Sequence, residues 1–473
     1  MRVLLVNTNR ERSPQPVIPL GLCLVASALS ARGLEPDVLD LCFSRRPEVD
    51  LARSISETRP DVIGLSVRNL DNGDYLQTRE YLPDAAALVR LCRALSPAPI
   101  VIGGPAVNVA PGRALEILGA DYALAGEGEE AMPELLGHLS AGAGLSDLPY
   151  VCSRGGNTAS LARVRDINAI PFSQAGRWID LRRYLRWGAA YPIQTKRGCP
   201  FECIYCTYRF IEGGAHRLRS PESVADEIAE ARGKWGARSF EFVDAVFDCP
   251  TDHALAVCEA IARRDLRVRL TTSNLNPAGA TPELLKLMRR AGFRAVVCTP
   301  DSGSDEMLLR LRKGFTVAQV ASVAAWAREA GLSVLWTFLF GGPGETEETV
   351  RETISFMETA LDSRDRILCT VGLRVYPDTE LARIARVEGA VAEAADLVKP
   401  TFYLSPHISA ERVRELLDAS SRWPQMVPLN VLQQPLVAWA LRLHGALGLR
   451  GAPWLAVPIY NRLRRALGRD RAS

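Results

Sequence analysis

The sequence predicts an α/β protein: a five-stranded parallel sheet, then a partial barrel of six βα units, then a helical C-terminal region. Three observations carry this reading. Short β-rich apolar runs alternate with helix-length segments, the pattern of strands covered on both faces. The alternation forms two successive arrays, 1–140 and 191–406, separated by 141–190, a stretch of poor pattern that reads as a linker. From 407 to 473 the pattern turns helical.

In the first array the strands are RVLLVN (2–7), PDVLDL (36–41), DVIGLSV (61–67), PIVIGG (99–104) and DYALAG (121–126). Segments such as LGLCLVASALSARG and DAAALVRLCRALS stand between them. This is a doubly wound, Rossmann-like sheet, a form that binds ligands at the carboxyl ends of its strands. The loop after the first strand, NTNRERSPQPVIP, lacks the G-x-G-x-x-G of a dinucleotide site. The loops after the fourth and fifth strands carry Gly103, Gly104, Gly126 and Gly128. Glycines there either let backbone approach a bulky ligand or serve ordinary turns.

In the second array the strands are PIQTKRG (192–198), SFEFVDAVF (239–247), RVRLTTSN (267–274), RAVVCTP (294–300), SVLWTFLFG (333–341) and ILCTVGLRVYP (367–377). Helical segments follow each of the first five. SPES and TPEL place Ser220 and Thr281 as N-caps with proline at the first helical position. Six such units make an incomplete barrel, open on one side, with function at the C-terminal strand ends. The tail from Pro435 is amphipathic and basic. It reads as a lid or packing helix, as a peripheral membrane contact, or as a wall for a greasy substrate.

Composition sets further bounds. A chain of 473 residues, 47% hydrophobic and 23% charged, supports two or three domains with large cores. The net charge of +3 gives no global case for nucleic-acid binding. No apolar run approaches the roughly eighteen residues of a membrane span, and MRVLLVN reads as a first strand rather than a signal peptide. Eleven scattered cysteines fit a reducing cytoplasm, where clustered cysteines are metal ligands.

One such cluster stands out. TKRGCPFECIYCTY (195–208) holds Cys199, Cys203 and Cys206 in the spacing C-x3-C-x2-C, directly after the first barrel strand. Structural zinc takes four protein ligands, and a fully ligated [4Fe–4S] cluster takes four thiolates. Three thiolates in one tight loop leave one iron open to a substrate or cofactor.

This triplet after the first strand of a partial barrel resembles the radical S-adenosylmethionine (radical SAM) superfamily, over about residues 192–406. The resemblance implies a [4Fe–4S] cluster whose open iron chelates S-adenosylmethionine. One electron then cleaves the sulfonium and leaves a 5′-deoxyadenosyl radical. It also implies an external flavodoxin-like or ferredoxin-like electron donor. Tyr205 matches the aromatic position near the adenine. Asp301 and Ser302, in PDSGSDE, fall where ribose contacts are expected, although helix capping also suits a serine there. Gly341 and Gly342, in FLFGGPGETEE, would let backbone approach adenine, with Glu345 and Glu347 stabilising the next helix. Ser273 and Asn274 suit ribose or carboxylate contacts, and Asp244 is the nearest group for the methionyl amine. Tyr376 either faces substrate or packs in the core. Cys298 and Cys369 read as core thiols.

A five-stranded domain ahead of such a barrel resembles the cobalamin-binding subfamily. That resemblance implies a corrin over the strand ends and a nucleotide tail between the fourth and fifth strands, near Gly103, Gly104, Gly126 and Gly128. Many such domains carry a cobalt-ligating histidine after the first strand. Here the five histidines, His138, His216, His253, His407 and His444, all lie elsewhere. No histidine ligand is therefore expected on the lower cobalt face. Arg68, beside Asn69 in SVRNLDNGDY, is the expected residue beneath the ring, since a cation cannot ligate cobalt; a surface salt bridge is the other reading. Both cofactors together imply methylation of an unactivated carbon of a small or lipid-like molecule. The alternatives are a radical cyclisation, ring contraction or rearrangement, and a non-catalytic cobalamin-binding module.

Overall fold

The computed structural model describes residues 1–12, 15–154, 160–172, 174–422 and 425–427. The tail from Pro435, and with it the bulk of the expected C-terminal helical region, lies outside the described residues.

Strands β1 (Val3–Asn7), β2 (Asp37–Asp40), β3 (Val62–Ser66), β4 (Ile100–Gly103) and β5 (Tyr122–Leu124) pair in parallel in the order β2-β1-β3-β4-β5. Their alternate side chains serve opposite cores. Leu4, Val6, Ile63 and Leu65 pack with helices Pro47–Thr58 and Leu82–Leu95 on one face. Val3, Leu5, Val62 and Val101 pack with helices Leu20–Ser30 and Gly128–Ala141 on the other. Burial on both faces is why these strands read as continuous apolar runs.

A sixth strand, β6 (Val151–Ser153), adds antiparallel to β5. It comes from the stretch that the sequence marks as a linker, which also forms the short helices Ala175–Trp178 and Leu181–Arg186. Elements of three to six residues are too short for a periodic signal. This stretch packs tightly against the first domain. Trp178 Nε1 donates to Ser27 Oγ at 2.8 Å, and Tyr184 meets Phe43 edge-on with centroids 4.9 Å apart.

The barrel starts with β7 (Tyr191–Ile193), followed by β8 (Lys196–Arg197) hairpinned to β9 (Arg217–Leu218). Then come β10 (Ser239–Phe242), β11 (Arg269–Thr272), β12 (Ala295–Asp301), β13 (Ser333–Phe340) and β14 (Arg366–Val371). β7, β10 and β11 pair in parallel, as do β12, β13 and β14, and the bridges Leu270–Phe293 and Leu275–Cys298 join the two groups. The arc thus runs in chain order through six strands. Along β13, Val334, Trp336, Phe338 and Phe340 are buried toward the helices, while Ser333, Leu335, Thr337 and Leu339 are half-buried toward the lumen. Ser220 Oγ and Thr281 Oγ1 accept from the N–H of Ser223 and Leu284, capping helices Pro221–Trp235 and Pro282–Ala291 as expected.

Three buried ionic links tie the two arrays. Arg374 Nε donates to Asp71 Oδ2 at 2.8 Å. Arg197 pairs with Glu127 at 2.9 Å and with Glu129 at 2.6 Å. Arg217 shares Glu127. Burial pushes the Glu127 carboxyl up, but its Arg217 hydrogen bonds and the Arg197 charge outweigh that and hold it below the usual range.

Removing one partner of a buried pair strands the other charge. Asp71→Ala should therefore cost about 3–5 kcal/mol in urea unfolding. Glu127 titrates lower in the folded chain, so its contribution is present above the unfolded carboxylate value and fades as pH falls through the folded one. Acid unfolding below about pH 4 should thus be less steep in Glu127→Gln than in the parent chain.

Candidate active site

β8 ends at Arg197 and the chain turns at Gly198, with φ +97. A Cβ there would meet Ala215 O at 2.1 Å, so only glycine fits. The turn delivers Cys199, whose N–H donates to Gly213 O at 2.9 Å. The loop is pinned further on by Ile204, which donates to Leu311 O and accepts from Leu381 N–H. Cys199 is buried and Cys203 and Cys206 are half-buried. Burial pushes all three thiols up, Cys206 to about 12. Such a loop holds protons until a metal displaces them. Among the described residues no three His, Cys, Asp or Glu side chains converge on one ion position. A cubane does not ask for convergence, because each thiolate takes a different iron.

β12 ends at Asp301 in the left-handed region, φ +69. Its Oδ2 accepts from the Tyr205 hydroxyl and, at 2.6 Å, from Lys313 Nζ; Lys313 also reaches the Tyr205 oxygen at 3.1 Å. Asp301 and Lys313 are both buried. Oδ1 takes no protein hydrogen bond among the described residues, which leaves one oxygen for a diol. Sequence reasoning brought Tyr205 and Asp301 to one ligand and missed Lys313. Its only signal was the RKG that ends the fourth-strand stretch.

The other expected residues divide. Asn274 bridges strand ends, donating to Ala245 O and accepting from Thr299 Oγ1 at 2.8 Å. Ser273 Oγ donates to Phe242 O at 3.2 Å. Asp244 is buried and its oxygens accept from Thr195 N, Thr195 Oγ1 and Lys196 N, so it braces the entry to the cysteine loop. Ser302 Oγ pairs with Thr353 Oγ1 at 3.0 Å and accepts from Ser304 N, a local turn contact. Gly341 and Gly342 both donate their N–H to Glu345 Oε2. Glu345 thus folds back on the glycines, while Thr346 caps the following helix and Glu347 pairs with Arg351 and Arg412. Tyr376 lies beneath the Arg374 guanidinium at 4.7 Å. Cys298 is fully buried and Cys369 half-buried.

Beside this loop a cavity of about 390 Å³ opens at the carboxyl ends of the sheet. Gly103, Gly104, Gly126 and Gly128 line it, with Pro192, Gln194 and Val243 of the barrel opposite. Its size is that of a small-molecule pocket. Two of the glycines answer to the chain itself: Gly104 and Gly126 have φ near +100, and a Cβ would meet Val67 O at 2.7 Å and Ala162 O at 2.2 Å. The walls are largely apolar, with Leu5, Leu65, Val101 and Leu124, and no histidine lines them. Such a largely apolar crevice with glycines in its lining suits the nucleotide tail of a cobalamin.

Arg68 also lines the cavity and, among the described residues, forms no ion pair. The Asn69 amide holds it, accepting from Arg68 Nη1 and donating to Arg68 O, each at 3.1 Å. Burial between the cavity walls pushes its guanidinium down, partly offset by Tyr208 and Glu241. Helix Tyr208–Glu212 faces the same space and has no buried residue; Tyr208 and Phe210 are each 46% exposed. Ile211 and Glu212 of this helix line the cavity.

Glu345 yields a prediction. Burial pushes its carboxyl up to about 7, against the opposing hydrogen bonds from Gly341 and Gly342. A raised acid penalises the fold when ionised, and the penalty is relieved as pH falls through that value toward the unfolded one. Glu345→Gln should thus flatten the fall in stability between about pH 4.5 and 7, read by thermal unfolding at each pH.

Comparison with known proteins agrees with this geometry. The family described as the B12 binding domain matches residues 7–136, and the Radical SAM superfamily matches residues 193–357. An uncharacterised methyltransferase of Pyrococcus horikoshii is 26% identical over 438 residues, 88% of this chain and 91% of its own. The tryptophan 2-C-methyltransferase of Streptomyces laurentii is 26% identical over 468 residues, 84% of this chain and 75% of its own. The structure of the radical S-adenosylmethionine methyltransferase TsrM from Kitasatospora setae, with cobalamin and [4Fe–4S] cluster bound, superposes with a TM-score of 0.83 at 26% identity, covering 100% of this chain and 99% of that one. The cobalamin-dependent enzyme OxsB, 16% identical with a TM-score of 0.71, shares the fold. The chain belongs to the cobalamin-dependent radical S-adenosylmethionine enzymes, whose cofactors are a [4Fe–4S] cluster, S-adenosylmethionine and cobalamin.

Proposed function

We propose that this enzyme transfers a methyl group to a carbon atom of a small molecule that has an apolar or aromatic part. One observation carries the reading: Arg197 lines the glycine-floored cavity and is also the second residue before Cys199. The glycine-lined cavity and the cysteine loop therefore share a wall. The full-length likeness to a methyltransferase supports the reaction type. The relatives are named for methylation of tryptophan, of a cytidylyl-hydroxyethylphosphonate and of hopanoids.

When bound, the cluster supplies one-electron chemistry at S-adenosylmethionine and cobalamin supplies a methyl carrier. The chain's own part is to hold and orient. Cys199, Cys203 and Cys206 hold the cluster. Asp301 Oδ1 accepts from the ribose, its other oxygen fixed by Tyr205 and Lys313. Gly341 and Gly342 offer adenine a flat backbone surface rather than hydrogen bonds, since Glu345 has their N–H groups. Ser273 and Asn274 stand at the neighbouring strand ends. Arg68, which lines the cavity, would offer a bound corrin a cation unable to ligate cobalt. Tyr208 and Phe210 wall the substrate. Reduction calls on an external one-electron donor of the flavodoxin or ferredoxin kind. No helix among the described residues is long and apolar enough to cross a membrane.

Anaerobic reconstitution with iron, sulfide and hydroxocobalamin tests this. S-adenosylhomocysteine and a product one carbon heavier are expected with an accepted substrate. A product of unchanged carbon count would replace methylation with rearrangement. Cys203→Ala should lose nearly all cluster iron and all turnover. Arg68→Ala should alter the visible spectrum of bound cobalamin, and an unaltered spectrum removes Arg68 from the cobalt.

A further inference from the structure

Lys313 is a buried cation whose charge has no use in the cofactor chemistry just described beyond fixing one oxygen of Asp301. Its side chain is 4% exposed, and it lies 108 positions along the chain from Tyr205. It follows helix Asp305–Arg310 and is set by Gly314, φ +76, and by a backbone bond from its own N–H to Leu308 O at 3.0 Å. Its ammonium is shared between Asp301 Oδ2 at 2.6 Å and the Tyr205 oxygen at 3.1 Å, with the Tyr205 and Phe315 rings each 5.7 Å away. A lysine so desolvated is costly to keep charged unless a partner compensates it, and Asp301 does so.

The position of this pair along the loop matters more than its existence. Tyr205 lies between Cys203 and Cys206. At the Cys203 sulfur the ammonium of Lys313 is a larger electrostatic influence than the carboxylate of Asp301. The ammonium acts at Cys206 as well. It lies beside the stretch of loop between these two cysteines, bonded to the Tyr205 hydroxyl. The other charges near the loop differ in kind. Glu212, hydrogen-bonded to Gly198 N, acts on Cys199, and Arg209 is exposed and spent on Glu202.

We propose that Lys313 is a tuning residue that raises the reduction potential of a [4Fe–4S] cluster held by Cys199, Cys203 and Cys206, with Asp301 holding the ammonium in place and partly cancelling it. This rests on the cluster assignment made above. The step concerned adds one electron, from the external donor, to the cluster; no bond forms or breaks and no proton moves. A fixed positive charge in a low-dielectric surround favours the more negative, reduced form. The effect is the protein's own, present before any substrate binds.

The test is an anaerobic redox titration followed by EPR, without S-adenosylmethionine, on reconstituted full-length protein with iron and sulfide measured for each variant. K313Q should lower the midpoint potential, and K313R should stay near the parent value. D301N, which keeps the cation and removes its partner, should lie above the K313M/D301N double variant, which has neither charge. A fully loaded K313Q cluster with the parent potential or a higher one overturns the proposal. If K313Q does not assemble, coincident potentials in D301N and the double variant overturn it instead. A structural role alone would lower iron content and melting temperature without this ordering. Failure of the underlying assignment looks different, since the parent protein itself would then take up no cluster.

Discussion

Arg197 is the constraint on which the arrangement depends. It is the last residue of β8, its side chain is 6% exposed, and two carboxylates of the other domain hold it. An arginine buried this deeply is tolerated only where its charge is met, and Glu127 and Glu129 meet it in a fork the guanidinium geometry suits. Because Glu127 and Glu129 flank Gly128 at the start of helix Gly128–Ala141, the same contact that seats the barrel also sets the wall of the glycine-lined cavity. Cys199 follows two residues later. The spacing of the cavity and the cysteine loop thereby depends on the Arg197 contacts and on two residues of backbone.

Polar burial around the cysteine loop follows a consistent rule. Groups that brace the loop have their hydrogen bonds complete within the protein, as Asp244 does with Thr195 and Lys196. Other groups keep something open among the described residues: one oxygen of Asp301, and the Arg68 guanidinium, held by Asn69 but in no ion pair. An incompletely satisfied polar group lowers stability, so its presence beside a cavity points to a ligand. Asp244 and Ser302 have their bonds met by neighbouring protein groups, while Asp301 and Arg68 keep an open acceptor and a cation without an ion pair among the described residues.

Legibility followed sequence distance. The strands of the first domain were readable because most residues of a doubly covered strand are apolar. The caps Ser220 and Thr281 were readable because the donor they satisfy is three residues away. The cysteine loop was readable because its chemistry lies within eight positions. Residues 141–190 were not, since a three-residue strand and helices of four to six residues carry no periodicity. Lys313 was not, because nothing in RKG distinguishes a buried lysine from an exposed one. Glu345 was read as a helix-terminus charge; its actual partners, the N–H groups of Gly341 and Gly342, depend on a tight turn that places a side chain over the preceding backbone.

By itself the sequence determined two α/β arrays in order, an iron-binding loop with one ligand too few, and a sheet domain without a histidine for cobalt. Those features depend on local spacing and on which residue types are present. Only the tertiary structure decided which charges meet: Arg197 with Glu129, 68 positions away, and Arg374 with Asp71, 303 positions away. The energy of a charge is set by its burial and its neighbours, and burial is a property of the packed chain rather than of any segment of it.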